Sequence, residues 1–413
     1  MSTVEFSIPT TDSGYVSGSP SYWTIAPTGT HLGSMQLDLL DATTQPGWTN
    51  QPIVQLDGSN FSGSEDGVHV DLSGMTVKGL SITNWPDDGA HTSQDDVTFS
   101  ANWFGVTPTG AVGANASGDL VLYGGADGVT VGGNAAADGN VFGAGGPDDG
   151  VLLTQFVTAT DIANNRFGIG ADGTTDLGAV AEGITVWEGT STTIRDNVFG
   201  HFPNSAIAQG TSSTGTVITG NTFGLDDASG AAPIGNALWN DSSGTIRFGG
   251  TGAGEGNTVA NATWNGVQAE STATGNIAIL GNSFVDSAQL AIDLNNDGVT
   301  ANDAGDGDTG PNDLLNFPVI TGASESGGTV TADFDLDVPA GNYRIEFFTN
   351  PSGVDSSGNG EGETFVHAES ITHTGSGSES FSASFTGSAG DVVTSTATVD
   401  LGGGSYGATS EFS

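Results

Sequence analysis

The chain has 413 residues, 35% of them hydrophobic, which is enough to bury an extended core and sets it apart from disordered polyelectrolytes. Asp and Glu number 48 against 5 Lys plus Arg, a formal net charge of -43 that excludes nucleic acid and anionic membranes as partners, since both bind through basic patches. Cysteine is absent, so neither disulfides nor thiolate metal sites are available.

A folded chain tolerates such self-repulsion best in high salt, where the Debye length shrinks to about 3 Å at 1 M. Lys78 is the sole lysine, and small residues abound, which is the composition expected of a halophilic system. The segment after Met1 has neither a basic start nor an apolar stretch, so no signal peptide is expected in this chain, and no apolar run is long enough to span a bilayer.

In chain order, residues 1–50 (EFSIP, YWTIAP, MQLDLL) read as capping strands. From there to residue 292 the tetrapeptide Asn-x-Phe-Gly recurs at Asn102, Asn140, Asn165, Asn197 and Asn221, with echoes at Asn257 and Asn282. Long intervals (Asn102 to Asn140, Asn165 to Asn197) alternate with short ones (Asn140 to Asn165, Asn197 to Asn221). Each interval carries brief strands between Gly, Ser, Thr and Asn clusters and no helical periodicity, the signature of a parallel β-helix with one short interval per coil. Strand parity puts the Asn and the Phe on one face, so they predict a hydrogen-bonded ladder and an apolar stack, with the variable residue between them turned outward.

The long intervals carry extra loops after the motif: GVTPTGAVGANASG, GIGADGTTDLGAVAEG and GLDDASGAAPIG. A short strand ending in an aromatic follows each, which predicts a stripe of outward aromatics at Tyr123, Trp187 and Trp239 for a glycan to stack on. The alternative is that these rings pack under their own loops or against a neighbouring subunit.

Residues 293–315 form an acidic Gly/Asp-rich junction in which Asp293, Asn295 and Asp297, followed by Gly298, match the first half of a calcium loop. The twelfth position is Ala304 rather than an acid, with Asp303 beside it, so a structural Ca²⁺ on Asp293, Asn295, Asp297 and Asp303 is weighed against a solvated turn. Residues 316–413 alternate as short strands with Gly turns and predict an Ig-like β-sandwich.

The stretches DATTQPGWTNQPIVQLDGSN, the N-x-F-G coils, IDLNNDGVTANDAGDGDTGPNDLLNFPVIT and YRIEFFTNPSG through TSEFS resemble the right-handed parallel β-helix repeat module of large microbial surface and adhesion proteins. The resemblance implies an all-β fold: a right-handed parallel β-helix (solenoid) with an N-terminal cap and a C-terminal β-sandwich domain. It also implies a surface or adhesion role without an assigned reaction.

Catalytic residues do not stand out from so acidic a background. Asp226 with Asp227, or Asp172 with Asp176, could supply a hydrolase pair, and Arg166 or Arg195 the cation of a lyase. The six His (31, 69, 91, 201, 367, 373) look scattered. The expectation is therefore a non-enzymatic attachment protein on a virion or cell surface, binding a cell-surface glycan or glycoprotein, homo-oligomeric or particle-attached, without membrane insertion. A polysaccharide lyase or glycoside hydrolase is the first alternative, and a purely structural spacer the second.

Overall fold

The computed structural model describes all residues except 1, 30–32, 144–145, 147–148 and 355–357. The molecule is a parallel β-helix of three sheets followed by an antiparallel sandwich. Its chain divides into two compact units, residues 1–216 with 224–234 and residues 217–223 with 235–413.

In the first unit, the first sheet runs through Thr3–Glu5, Leu39–Asp41, Thr76–Lys78, Thr98–Ser100, Thr130–Gly132, Asp161–Ala163 and Thr193–Arg195, each pair parallel. The second sheet runs from Tyr22–Ile25 through Val54–Asp57, Leu80–Thr83, Trp103–Phe104, Val141–Phe142 and Arg166–Phe167 to Val198–Phe199. Tyr15–Val16 joins its N-terminal end antiparallel. The third sheet orders Val68–Val70, Ala90–Thr92, Leu120–Leu122, Val151–Leu153, Ile184–Val186 and Phe202–Gln209.

The Asn-x-Phe-Gly motif is the spine of this unit. The Oδ1 atoms of Asn140, Asn165 and Asn197 accept from the backbone N–H of Asn102, Asn140 and Asn165, at 2.9, 2.9 and 2.8 Å. Each is thereby a buried polar group with a partner, which is the condition for burying it at all. Phe104, Phe142, Phe167 and Phe199 stack nearly parallel, with centroids 5.0, 4.7 and 4.8 Å apart. A fully buried Phe contributes about 1.5–3 kcal/mol through burial, so the stack is a principal source of cohesion between coils.

Of the residues between Asn and Phe in this unit, Arg166 and Val198 are half-buried and two are fully covered. Trp103 and Val141 are buried with Val106 and Leu177 beneath the inserted loops, a second small apolar cluster. The three loops share one plan, a hairpin closed by a single antiparallel bridge at Val106–Val112, Ile169–Asp176 and Leu225–Ala231.

The second unit repeats the coil plan: the Asn257 and Asn282 Oδ1 atoms accept from the N–H of Asn221 and Asn257, both at 2.9 Å. Its sandwich has a three-stranded sheet (Val319–Ser326, Thr329–Leu336, Glu379–Thr386) and a four-stranded one (Thr364–His373, Gly341–Asn350, Val392–Gly402, Ser405–Thr409). Phe334, Ile345, Phe347 and Phe385 are among the side chains filling its core.

The last coil would present a row of unpaired N–H groups, and the junction and sandwich satisfy them. The N–H of Ile277 donates to Asn312 Oδ1 (2.7 Å), that of Ile279 to Thr409 Oγ1 (2.9 Å), that of Gly281 to Glu346 Oε2 (2.8 Å) and that of Leu294 to Glu411 Oε1 (2.9 Å). Burial pushes the Glu411 carboxyl up to about 7 against the opposing pull of the Leu294 and Thr300 amides. Among the described residues no helix is long and apolar enough to cross a membrane.

Candidate active site on the third sheet

Two coils at the start of the third sheet carry the same tetrad, Asp66-Gly67-Val68-His69 and Asp88-Gly89-Ala90-His91. Parallel pairing sets Val68 against Ala90 and His69 against His91, so the two Asp and the two His fall in columns. Gly67 is required there: a Cβ would lie 2.2 Å from the Gly89 carbonyl oxygen and 2.9 Å from Trp85 Nε1.

The resulting contacts are close. The Asp88 N–H donates to Asp66 Oδ1 at 3.1 Å, and His91 Nδ1 lies 3.0 Å from Asp66 Oδ2. The rings of His69 and His91 are 4.2 Å apart, and Tyr123 meets His91 edge-on at 5.6 Å. One ligating atom from each of Asp66, Asp88 and His91 lies within 4.8 Å of the others. His91 Nε2 is buried and has no hydrogen-bond partner among the described residues.

The two carboxyls are driven apart in acidity. Burial, then the neighbouring charges of Asp66 and Asp87, push Asp88 up to about 6, with the Gly118 amide and Ser117 opposing. At Asp66 burial is outweighed by the hydrogen bond and charge of His91, and the carboxyl lies below the ordinary range. Burial and the charge of His91 lower His69. A poised acid beside an ionised carboxylate is an acid–base arrangement.

The same column continues along the sheet. Two positions before the paired residues Leu120, Val151 and Ile184 stand Gly118, Asp149 and Glu182. Glu182 is raised by burial, against its hydrogen bond with Asp149. Lys78, Arg195 and Arg247 lie on first-sheet strands, Arg166 on the second sheet and Arg344 in the sandwich, so no Lys or Arg stands on a third-sheet strand.

The loop carboxylates are already engaged. Asp172 accepts from the Thr174 and Thr175 amides and the Thr175 hydroxyl, Asp226 from the Ala228 and Gly230 amides, and Asp227 pairs with Arg166. Asp176 accepts from the Gly178 amide. Arg195 is bound by Asp161 at 2.8 Å and Asp196 at 3.3 Å. A cleft of about 420 Å³ opens among these loops, lined by Gln51, Trp103, Gly170, Asp172 and Thr175. Asp172, the acid that lines it, holds its own turn.

The three predicted aromatics differ in their place on the strand. Tyr123 and Trp187 each follow a third-sheet strand, directly after the paired residues Leu122 and Val186. Trp239 lies within its strand, paired with Gln268, and its Nε1 donates to Glu270 Oε1 at 2.7 Å. Trp187 is 46% exposed, whereas Tyr123 and Trp239 are half-buried.

The predicted cation ligands also separate. Asp293 Oδ1 accepts from the Asp297 N–H at 3.2 Å and Asn295 Nδ2 donates to Asp297 Oδ2 at 2.8 Å, so this half of the loop caps itself. Asp303 instead groups with Asp306 and Asp308, with ligating oxygens within 4.8 Å of one another. The Ala at position 304 breaks the calcium-loop register, and Asp303 joins the acids that follow it. His31 and Asp148 lie outside the described residues.

No family model matches this chain, and no curated protein matches it. Among solved structures it is similar to the enzymatically active domain of tailspike protein 2 of bacteriophage CBA120, at 13% identity and a TM-score of 0.31, over 92% of this chain and 66% of that one. The chain thus spans just under two thirds of that protein's length. That domain is named as enzymatically active. In this chain itself, the opposed Asp66 and Asp88 carboxyls are the feature that corrects the expectation of a non-enzyme.

Proposed function

We propose that the protein is a surface-displayed glycoside hydrolase acting on an uncharged glycan, with Asp88 as general acid and Asp66 as the ionised partner. The observation that carries this reading is the pair itself: one carboxyl raised to about 6, the other lowered, within 4.8 Å. An upper bound of 4.8 Å between carboxyl oxygens fits the close pair of retaining hydrolases, about 5 Å, better than the wide pair of about 6.5–9.5 Å used by inverting ones. Asp88 would protonate the leaving oxygen, Asp66 would attack the anomeric carbon, and Asp88, now deprotonated, would activate water for the second step. His91 holds Asp66 in place and keeps it ionised.

A lyase is disfavoured. It needs a cation to stabilise the anion formed beside a substrate carboxylate; no Lys or Arg stands on the third sheet, His91 is paired with Asp66, and the sheet's acids repel a polyuronate. Net charge of -43 supports display in high salt, outside a halophilic cell, on a virion or a cell surface. Homo-oligomeric or particle-attached assembly is part of the same proposal, and mass measurement in molar salt tests it.

The test is incubation with uncharged polysaccharides and with surface glycans of halophilic cells, in molar salt, scoring new reducing ends. The wild-type protein should generate them, and Asp88→Asn and Asp66→Asn should not. An inert wild type, or an Asp88→Asn variant as active as wild type, would remove the assignment.

A further inference from the structure

We propose that Tyr123, Phe156 and Trp187 form a stacking track for an uncharged polysaccharide along the edge of the third sheet opposite the acid column. The polymer's class rests on the hydrolase reading; the track rests on its own geometry. Three consecutive coils, whose strands Leu120–Leu122, Val151–Leu153 and Ile184–Val186 pair in register, each carry one aromatic on the turn that leaves this sheet.

Phe156 is the unexpected member. It is 68% exposed, the most exposed large apolar side chain among the described residues, and its φ is +68°. Gln155 before it is also left-handed, at +56°. The preceding coil makes the same turn with Gly124 at +66° and Gly125 at +80°, an alignment fixed by Leu122 opposite Leu153 and by the bridge from Asp127 to Thr158. Glycine is what this backbone suits, and a bulky residue there is strained.

The core does not call for the ring, because the neighbouring Val157 is fully buried and supplies the inward contact. A strained, solvent-facing aromatic points to use by something outside the chain. Trp187 is presented in a similar way. A Cβ at Gly210 would lie 2.8 Å from Trp187 Cε3, so glycine lets the indole lie against the next coil, and 46% of the residue stays exposed.

The surroundings select the occupant. No Lys or Arg stands on the sheet, and the groups between the rings are polar: Glu188 accepts from the Gln155 amide at 2.8 Å. Neutral rings set among hydrogen-bonding groups on an acidic protein suit a partner that is uncharged, polar at its rim and apolar on its flat faces, which describes a sugar ring. Two strand spacings separate Tyr123 from Trp187 along the sheet, about 9.6 Å, close to the length of two linked sugars.

Retention of the full chain on cross-linked dextran, cellulose and chitin beads in molar salt tests the track. Wild type should be held by at least one of them. Phe156→Gly should weaken that retention at least fivefold without lowering the thermal midpoint, because glycine relieves the strain, and Trp187→Ala should weaken it at least as much. Wild type that no bead retains, unchanged retention of Phe156→Gly, or conversion of an oligomer to monomer by Phe156→Gly would each overturn the track, the last by assigning the corner to a second copy of the chain. Retention without new reducing ends would sink the hydrolase reading and leave the track standing; new ends with unaltered Phe156→Gly binding would do the reverse.

Discussion

The second and third sheets of the first unit are built from the same device, one residue type repeated once per coil, and use it to opposite ends. On the second sheet the Asn column is closed: every member is buried, and each Oδ1 serves the N–H of the coil before it. On the third sheet the Asp–His column is open: Asp88 is held near 6, and His91 Nε2 lacks a partner among the described residues. Repetition therefore marks stacking, and only the satisfaction of the stacked groups tells cohesion from chemistry.

Variants in the closed column should cost stability. Phe167→Ala removes a ring stacked on both sides and is expected to destabilise by about 3–5 kcal/mol, read as a lower denaturation midpoint. In the open column Asp88→Asn should instead lower the rate by about 10²–10⁴-fold, with a midpoint equal to wild type or higher, since it removes a disfavoured buried charge. If Asp88→Asn unfolded the protein as Phe167→Ala does, the distinction between the columns would collapse.

Much of this contrast was legible in part. The Asn-x-Phe-Gly spacing announced the closed column because its residues do one job in every coil, and the Gly-turn strands after residue 316 announced the sandwich. The open column escaped because it precedes Asn102, the first marker, and so lay outside the counted coils. Its signal was the repeat of Asp-Gly-x-His at 66–69 and 88–91, a single 22-residue interval that makes two scattered-looking histidines neighbours. Asp172, Asp226 and Asp227, weighed as hydrolase candidates, are engaged for a local reason: short acids in Gly-rich loops accept from their own turn amides or from a nearby Arg. Trp239 was grouped with Trp187 by its place at a strand end, yet it sits one step inside the paired register. Phe156 was passed over because no sequence pattern flags an aromatic at a left-handed turn.

Acidity sharpens the comparison at the next level. Asp88 and Asp306 are raised to about 6 and Glu411 to about 7. A raised carboxyl favours the folded state fully below its unfolded value and loses that contribution as pH climbs through the folded one. The protein should therefore be less stable at pH 8 than at pH 5, with Glu411 alone accounting for about 3 kcal/mol. Glu411→Gln should flatten that fall in a pH series of denaturation midpoints, while Asp88→Asn should flatten only its share near 6. The smallest effect is expected from calcium: millimolar Ca²⁺ should raise the midpoint by a degree or two through Asp303, Asp306 and Asp308, and Asp306→Asn should abolish the rise.

The most direct test of the open column is the pH dependence of glycan cleavage in molar salt, followed as new reducing ends. With Asp88 as the acid, the rate should fall as pH rises through about 6, and Asp88→Asn should remove both the activity and that limb. A rate that stays level from pH 5 to 8, or a limb that survives in Asp88→Asn, would contradict the assignment.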